Sequence, residues 1–282
     1  MKTLWLFPGQ PLQHEAALLD DPDFLALDQL CRATCGYDLI GHQPVVGQAI
    51  SPHTCLQLYG VALSLYRARQ LSRTGIKPDS VAEHSLGIYA ALAICGCISE
   101  ADALSLVCRI GDCMSRMAAG REYALGCPIG LPVAAVEAAA KQHGVYVANY
   151  NTSRHFLLAG EKAGIEAALA ACRAAGVFSV SSFSCEAPLH TPLMAAISDE
   201  LAAIVADYRY AEPQVPLIEH ITQTSLTAAK IPGFLVNELQ QPVYWERTWQ
   251  ALRLSGPYQV YEVGTGKALS KFNRWIDMEQ AP

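Results

Sequence analysis

The sequence predicts an α/β protein with a mostly parallel sheet and one smaller inserted unit. Short apolar runs that are typical of buried strands alternate with helix-period segments in the first and last parts of the chain. Between residues 121 and 185 the order changes to strand, helix, strand, strand, helix, strand. We therefore expect a core built from residues 1–120 and 186–282, interrupted by a subdomain at 121–185. A chain of 282 residues is long enough for both.

Composition and charge argue against several classes of protein. The net charge of −6 and the lack of any basic cluster argue against a nucleic-acid surface. The apolar run at 90–97 is far too short to span a bilayer, and the N-terminus lacks a signal peptide's cleavage region. The ten cysteines include no Cys-x-x-Cys pair, so we expect small buried hydrophobes and no metal site. We expect a cytoplasmic monomer that binds neither nucleic acid nor membrane.

Apolar periodicity and turn residues predict the elements of the core in order. A strand closed by Pro8-Gly9 opens the chain, and Gly75 ends a strong helix before Pro78 turns the chain into a second strand. The predicted strands lie at 4–7, 80–82, 215–219 and 258–263, and the predicted helices at 18–35, 54–74, 86–96, 99–118, 194–207, 232–239 and 244–254.

The inserted unit has its own pattern. Its strands are predicted at 123–129, 145–150, 155–159 and 177–183, and its helices at 132–143 and 161–175. The order βαββαβ is the ferredoxin-like pattern, and a unit of this size can form a two-layer domain.

The most informative stretch surrounds Ser85, where an apolar approach runs into EHSLG and then into an Ala-rich helix. Strand, sharp turn and helix with a serine at the apex are the context of a nucleophile elbow. The N–H of Leu86 would then be an oxyanion donor. The alternative is an ordinary helix N-cap serine. Glu83 replaces the first glycine of the elbow pattern. Because a carboxylate there needs room and solvent, one interpretation is that it faces outward.

Five short segments at matching separations resemble the malonyl-CoA:acyl-carrier-protein transacylase family, which includes the acyltransferase domains of polyketide synthases. They are FPGQ at 7–10, HSLG at 84–87, HTPLM at 190–194, PVYW at 242–245 and EVGTG at 262–266. The resemblance covers nearly the whole chain. It implies an α/β-hydrolase-like core with a ferredoxin-like insertion, which agrees with the pattern above.

The resemblance also implies roles for single residues. Ser85 matches the nucleophile that takes an acyl group from a thioester, and His190 matches its general base. The backbone N–H groups of Gln10 and Leu86 match the oxyanion hole. The family's histidine is oriented by backbone carbonyl groups, and here that segment contains Glu238 where glutamine is usual. From the residues alone, we would favour a surface turn for His190, which precedes Thr-Pro, and the segment that ends at Gln10 could be only a strand end.

One departure from the family bears on the substrate. Malonyl-specific members carry an arginine in a V-x-x-R-G pattern on the second helix after the serine, and that position is Ile110 here. Arg109 is one residue earlier, about 100° around a helix, so it should point elsewhere. An apolar side chain cannot pair with a carboxylate. We therefore expect an acyl pocket, with Leu189 and His84 as further lining residues, that accepts an uncharged acyl group.

Three functions remain open at this stage. The first is hydrolysis of acyl-carrier-protein thioesters, as in the trans-acting acyl hydrolases of polyketide pathways. The second is acyl transfer, of an uncharged or a malonyl group, between coenzyme A and a carrier protein. The third is a catalytically inactive module that binds carrier proteins, which Glu83 would favour. We expect acyl carrier protein as partner and no cofactor, since the acyl group arrives on phosphopantetheine or coenzyme A.

Overall fold

The computed structural model describes residues 1–15, 21–118 and 120–280. The strands are β1 (Lys2–Phe7), β2 (Tyr37–Asp38), β3 (Gln43–Pro44), β4 (Ser80–Glu83), β5 (Tyr123–Ile129), β6 (Tyr146–Thr152), β7 (His155–Glu161), β8 (Ser179–Cys185), β9 (Leu217–Ile218) and β10 (Tyr258–Glu262). The α-helices are α1 (Pro22–Cys35), α2 (Pro52–Arg73), α3 (Gly87–Ile94), α4 (Glu100–Met117), α5 (Val133–Gln142), α6 (Lys162–Ala174), α7 (Ser198–Ala206), α8 (Ile231–Asn237), α9 (Trp245–Leu254) and α10 (Ala268–Glu279).

The core is a four-stranded parallel sheet in the order β10-β1-β4-β9. The inner strand β1 ends in a continuous apolar run, LWLF, that is fully buried, as expected for a strand that is covered on both faces. One core cluster contains Trp5, Leu58 and Ile88, and a second contains Leu6, Trp245 and Ile276. In the central pair, Phe7 lies beside Glu83, so the segments that follow β1 and β4 leave the sheet at the same edge.

The inserted unit is a four-stranded antiparallel sheet in the order β6-β7-β5-β8, with α5 and α6 packed on it. This is the strand order of a ferredoxin-like unit, in which the two outer strands are the second and the fourth. Backbone hydrogen bonds from Val243 to Ala148 and from Tyr150 to Val243 attach this sheet to the core. The predicted fold class is thereby confirmed, while the division at residues 121 and 185 stays a prediction.

Several predicted boundaries were wrong. The strand expected at 215–219 is only Leu217–Ile218. The helix expected at 194–207 is a 3-10 helix, Pro192–Ile197, followed by α7. The helix expected at 232–239 is α8 followed by a 3-10 turn, Glu238–Gln240. The first three residues of the helix expected at 18–35 lie outside the described residues.

None of the helices in the described ranges combines the length and the apolarity that crossing a membrane demands. All ten cysteines are unpaired thiols, and eight of them are buried, as expected for small apolar core residues.

Candidate active site

Ser85 lies at the apex of the turn between β4 and α3. Its φ of 56° is in the left-handed region, which non-glycine residues rarely adopt and which concentrates at functional sites. Gly87, two residues later, opens α3 against the end of β1. A Cβ at Gly87 would lie 2.3 Å from the carbonyl oxygen of Phe7, so only glycine allows this approach. The sequence thus has a strained serine and a close-packing glycine where an elbow requires them.

The side chain of Ser85 is hydrogen-bonded to His190. The Oγ–Nε2 distance is 2.7 Å although the two residues are 105 positions apart in the chain. The Nδ1 atom of His190 lies 2.9 Å from the carbonyl oxygen of Glu238. Because a carbonyl only accepts, Nδ1 carries the proton and Nε2 is free to accept from the serine. The helix α3 has no side-chain N-cap bond, so the interpretation of Ser85 as a simple cap was wrong.

The environment of His190 favours its neutral form. The ring is buried, and its own backbone φ is 59°. Burial, together with the neighbouring His220, lowers the pKa of His190 from 6.5 to about 3. A neutral imidazole at physiological pH is the form that can take a proton from a hydroxyl group. The interpretation of His190 as a surface turn residue was therefore wrong.

Two backbone N–H groups border the same space. Gln10 follows β1 and Leu86 follows Ser85, and both residues line the cavity above the serine. Within the described residues, neither N–H group has a hydrogen-bond acceptor. Gly9 brings the first loop close, since a Cβ there would lie 2.9 Å from Nδ1 of His84. Unpaired N–H groups beside a hydroxyl are the arrangement that stabilises a developing oxyanion.

The cavity above Ser85 has a volume of about 750 Å³. Its lining includes all three residues expected to form an acyl pocket, Ile110, Leu189 and His84. The wall from α4 is apolar, and the other walls come from the loop after β1, from the inserted sheet and from α10. The apolar contributors include Val107, Met114, Leu125, Leu157 and Phe183.

Arg109 does not reach this cavity. Its guanidinium group donates to the carboxylate of Asp207 at 2.6 Å and lies over the ring of Tyr208, next to α7. Among the described residues that line the cavity there is no arginine. The cationic side chains in the lining are Lys267 and Lys271, both of which are exposed.

Glu83 is fully buried, so the interpretation that it faces outward was wrong. Its carboxyl group accepts a hydrogen bond from the backbone N–H of His220 at 3.1 Å and lies 2.8 Å from Nδ1 of the same residue. Burial raises the pKa of Glu83 well above its ordinary value and lowers that of His220 to about 4, and both shifts favour neutral groups. No local sequence pattern indicates this pair, because 137 positions separate its members.

Buried polar side chains next to Ser85 and His190 form the rest of the site. Nε2 of His84 lies 2.9 Å from Oδ1 of Asn151 on β6, which orients the imidazole that lines the pocket. Burial lowers the pKa of His84 to about 4. Ligand atoms of His190, His220 and Glu238 lie within 4.8 Å of one another, a spacing that a metal ion can bridge. Since both ring nitrogens of His190 already have hydrogen-bond partners, we assign no metal here.

Comparisons with known proteins agree with this geometry. Residues 38–265 match the family model described as "Acyl transferase domain". The malonyl CoA-acyl carrier protein transacylase of Escherichia coli K12 is 31% identical, over 96% of this chain and 92% of its own length. The transacylase of Coxiella burnetii has a similar structure, with a TM-score of 0.89 and 27% identity over 99% of this chain and 92% of that one.

A second solved structure contains a malonyl-transacylase in complex with a type II polyketide synthase acyl-carrier protein. It has a TM-score of 0.88 and 28% identity, over 98% of this chain and 93% of that one. The extent of the family match and the identity to the E. coli enzyme show that this chain belongs to the acyl transferase domain family. It is an enzyme of the acyltransferase type, and the resemblance predicted from its sequence is confirmed.

Proposed function

We propose that this enzyme moves acyl groups through an ester on Ser85, with His190 as the general base. The observation that carries the proposal is the 2.7 Å hydrogen bond between Oγ and Nε2 beneath an apolar cavity. The N–H groups of Gln10 and Leu86 would stabilise the oxyanion. Losing one such donor typically costs about 3–4 kcal/mol of transition-state stabilisation.

The reaction has two halves. Ser85 Oγ attacks the thioester carbonyl while its proton passes to Nε2 of His190. The tetrahedral intermediate collapses, the C–S bond breaks, and the thiolate leaves with the proton from the histidine. In the second half a thiol or a water molecule gives its proton to His190 and attacks the ester, which releases the acyl group and restores Ser85.

The substrate is an acyl thioester on acyl carrier protein in fatty-acid or polyketide biosynthesis. The E. coli relative is a transacylase of acyl carrier protein, and a similar structure holds such a carrier protein. The acyl group would enter on the phosphopantetheine arm or on coenzyme A. No further cofactor is needed, because every proton transfer is made by Ser85 and His190.

The acyl group is uncharged in this proposal. Ile110 is 2% exposed and lines the cavity. The resemblance to the family implies an arginine at this position in malonyl-specific members. A carboxylate placed against it would lose its hydration without gaining a cationic partner, which costs several kcal/mol. Hydrolysis of such acyl groups, which clears a carrier protein of unusable chains, is the outcome we favour over transfer to a second carrier.

Malonyl transfer is the alternative. The names of the relatives favour it, since the E. coli enzyme and both similar structures are malonyl transacylases. It requires a cation for the malonyl carboxylate, and the two lysines that line the cavity, Lys267 and Lys271, are the candidates. Both belong to the segment that follows β10, whereas Ile110 lies on α4.

Intact-mass spectrometry separates these outcomes. The enzyme is incubated with acetyl-, butyryl- and malonyl-loaded carrier protein, and both proteins are followed with time. We expect an acetyl or butyryl adduct on Ser85 and the appearance of free carrier protein, with little malonyl adduct. Ser85→Ala should abolish the adduct and the turnover. Rapid malonyl loading, matched by transfer to an unloaded carrier, would establish the alternative instead.

A further inference from the structure

Glu238 offers two oxygen atoms to one nitrogen of His190. Its backbone carbonyl oxygen accepts the hydrogen bond from Nδ1 at 2.9 Å, and its side-chain Oε2 lies 3.7 Å from the same Nδ1. The side chain is 1% exposed. Within the described residues, Oε2 has no hydrogen-bond partner. A buried carboxyl oxygen without a partner is costly, so its position beside His190 needs an explanation.

The side chains around the Glu238 carboxyl group include a potential hydrogen-bond donor. His220 presents Nε2, which is also buried without a partner in the described part of the chain, while its Nδ1 faces Glu83 on β4. One ligand atom each from His190, His220 and Glu238 lie within 4.8 Å of one another. In the described part of the chain, the other titratable groups that face Glu238 are Glu83 on β4 and the buried hydroxyl of Tyr89 on α3.

We propose that the side chain of Glu238 is a positioning residue, which turns its carboxylate onto Nδ1 of His190 as the imidazolium forms. This rests on the proposed function, because it acts through His190. A small rotation shortens 3.7 Å to hydrogen-bond length, and His220 donates from Nε2 to the second carboxylate oxygen when Glu83 holds the proton that they share. Ser85, His190 and Glu238 then form a serine–histidine–carboxylate triad.

The triad does not change the number of protons that are transferred in either half of the reaction. The proton that His190 takes from Ser85, or later from water, stays on Nε2 until it passes to the leaving group, and none is transferred to Glu238. The carboxylate lowers the free energy of the charged imidazolium by direct pairing between two buried side chains.

A carboxylate is most useful when water is the attacking group. A thiol has a pKa of about 8.5, whereas bulk water has about 15.7, so deprotonating water demands a stronger base. Glutamine, the usual residue of the family at this position, cannot carry charge. A charged partner for His190 therefore fits an enzyme whose second half-reaction is hydrolysis.

The test uses p-nitrophenyl acetate as the probe, because this ester requires only the Ser85–His190 pair and no particular acyl pocket. Glu238→Gln keeps the backbone carbonyl and the shape of the side chain. We expect it to slow hydrolysis of acetyl-Ser85 tenfold or more, measured by intact mass, while acetyl transfer to N-acetylcysteamine slows less. Burial raises the pKa of Glu238 well above its ordinary value, so hydrolysis by the natural enzyme should rise with pH through an inflection that the variant lacks.

Two further variants complete the test. Glu238→Asp keeps the charge on a shorter side chain and should restore part of the pH inflection. Glu246→Gln makes the same change at a half-buried glutamate of α9 outside the cavity and should match the natural enzyme. Equal hydrolysis rates and pH profiles for Glu238→Gln and the natural enzyme would overturn this inference while leaving the ester on Ser85 intact. If the glutamine variant does not fold, absence of the inflection in the natural enzyme would overturn it.

Discussion

At the scale of single residues, our proposal makes Ile110 the side chain that selects which acyl group the cavity accepts. It lies on the apolar face of α4, while its neighbour Arg109 is held outside by Asp207 and the ring of Tyr208. Ile110 and Arg109 point in different directions because successive residues of an α-helix are rotated by about 100°. A cation at position 110 would face the cavity, whereas the cation at 109 does not.

We expect Ile110→Arg to increase malonyl loading of Ser85 from malonyl-CoA by about ten- to a hundredfold. A charged hydrogen bond is worth about 1.5–3 kcal/mol, which corresponds to this range. Loading with butyryl-CoA should fall, because the guanidinium occupies apolar space. Intact mass gives both rates. Arg109→Ala is the matched control and should leave the ratio of the two rates unchanged. If Ile110→Arg leaves the ratio of malonyl to butyryl loading rates unchanged, Ile110 does not select the substrate.

Glu83 shows where residue-level prediction stops. The sequence indicates that a carboxylate replaces the usual glycine beside the elbow, and from that alone an exposed position is reasonable. Its partner, His220, lies beyond β9 and 137 positions away, and no local pattern links the two. Burial of a charged residue type becomes acceptable only when a distant chain segment supplies the donor. Such pairings are invisible to periodicity and spacing.

At the scale of elements, the path from β4 through Ser85 into α3 depends on one glycine. A Cβ at Gly87 would meet the carbonyl carbon and oxygen of Phe7 at 2.7 and 2.3 Å. Both contacts are with backbone, which cannot rotate away. The helix would have to move off β1 and carry Leu86 with it.

We therefore expect Gly87→Ala to lower the free energy of unfolding by about 2 kcal/mol or more and to reduce acylation of Ser85. Gly233→Ala in α8 is the control, since a Cβ there meets no atom within 4 Å and alanine favours a helix. It should stabilise by about 0.5–1 kcal/mol. Urea denaturation gives both values. Similar small effects at the two positions would contradict the close approach of α3 to β1.

Elements with strong local signals were predicted from the sequence. The strands β1 and β4, the helix α2 and the whole βαββαβ unit have apolar runs or helical periods bounded by glycine and proline. The strand β9 was predicted too long, because its length is set by pairing of Leu217 and Ile218 with β4 and not by its own residues. The segment 194–207 was predicted as one helix, since a spacing of three residues fits α- and 3-10 helices alike.

At the scale of the whole molecule, the site contains two sets of buried titratable groups whose effects on the pH dependence of stability have opposite signs. Burial lowers the pKa values of four histidines from 6.5, to about 3 for His190 and to about 4 for His84, His155 and His220. The unfolded chain binds protons at these histidines below pH 6.5 and the folded chain does not, so acid favours unfolding. The raised pKa values of Glu83 and Glu238 act in the opposite direction, because only the unfolded chain ionises them readily above pH 4.5.

The histidines outnumber the two glutamates, so we expect the melting temperature to be highest near pH 6.5. Below it, down to pH 4.5, the temperature should fall by about 5 °C per pH unit as the unfolded state takes up protons. Above pH 6.5 the histidine contribution is constant, and a decline of similar steepness should follow, because only the unfolded state then carries the two ionised glutamates. The double variant Glu83→Gln/Glu238→Gln should lose that alkaline decline and fall more steeply in acid. Calorimetry from pH 4.5 to 9 tests both limbs, and a melting temperature that rises towards pH 4.5 in the natural protein would show that its buried histidines are not neutral.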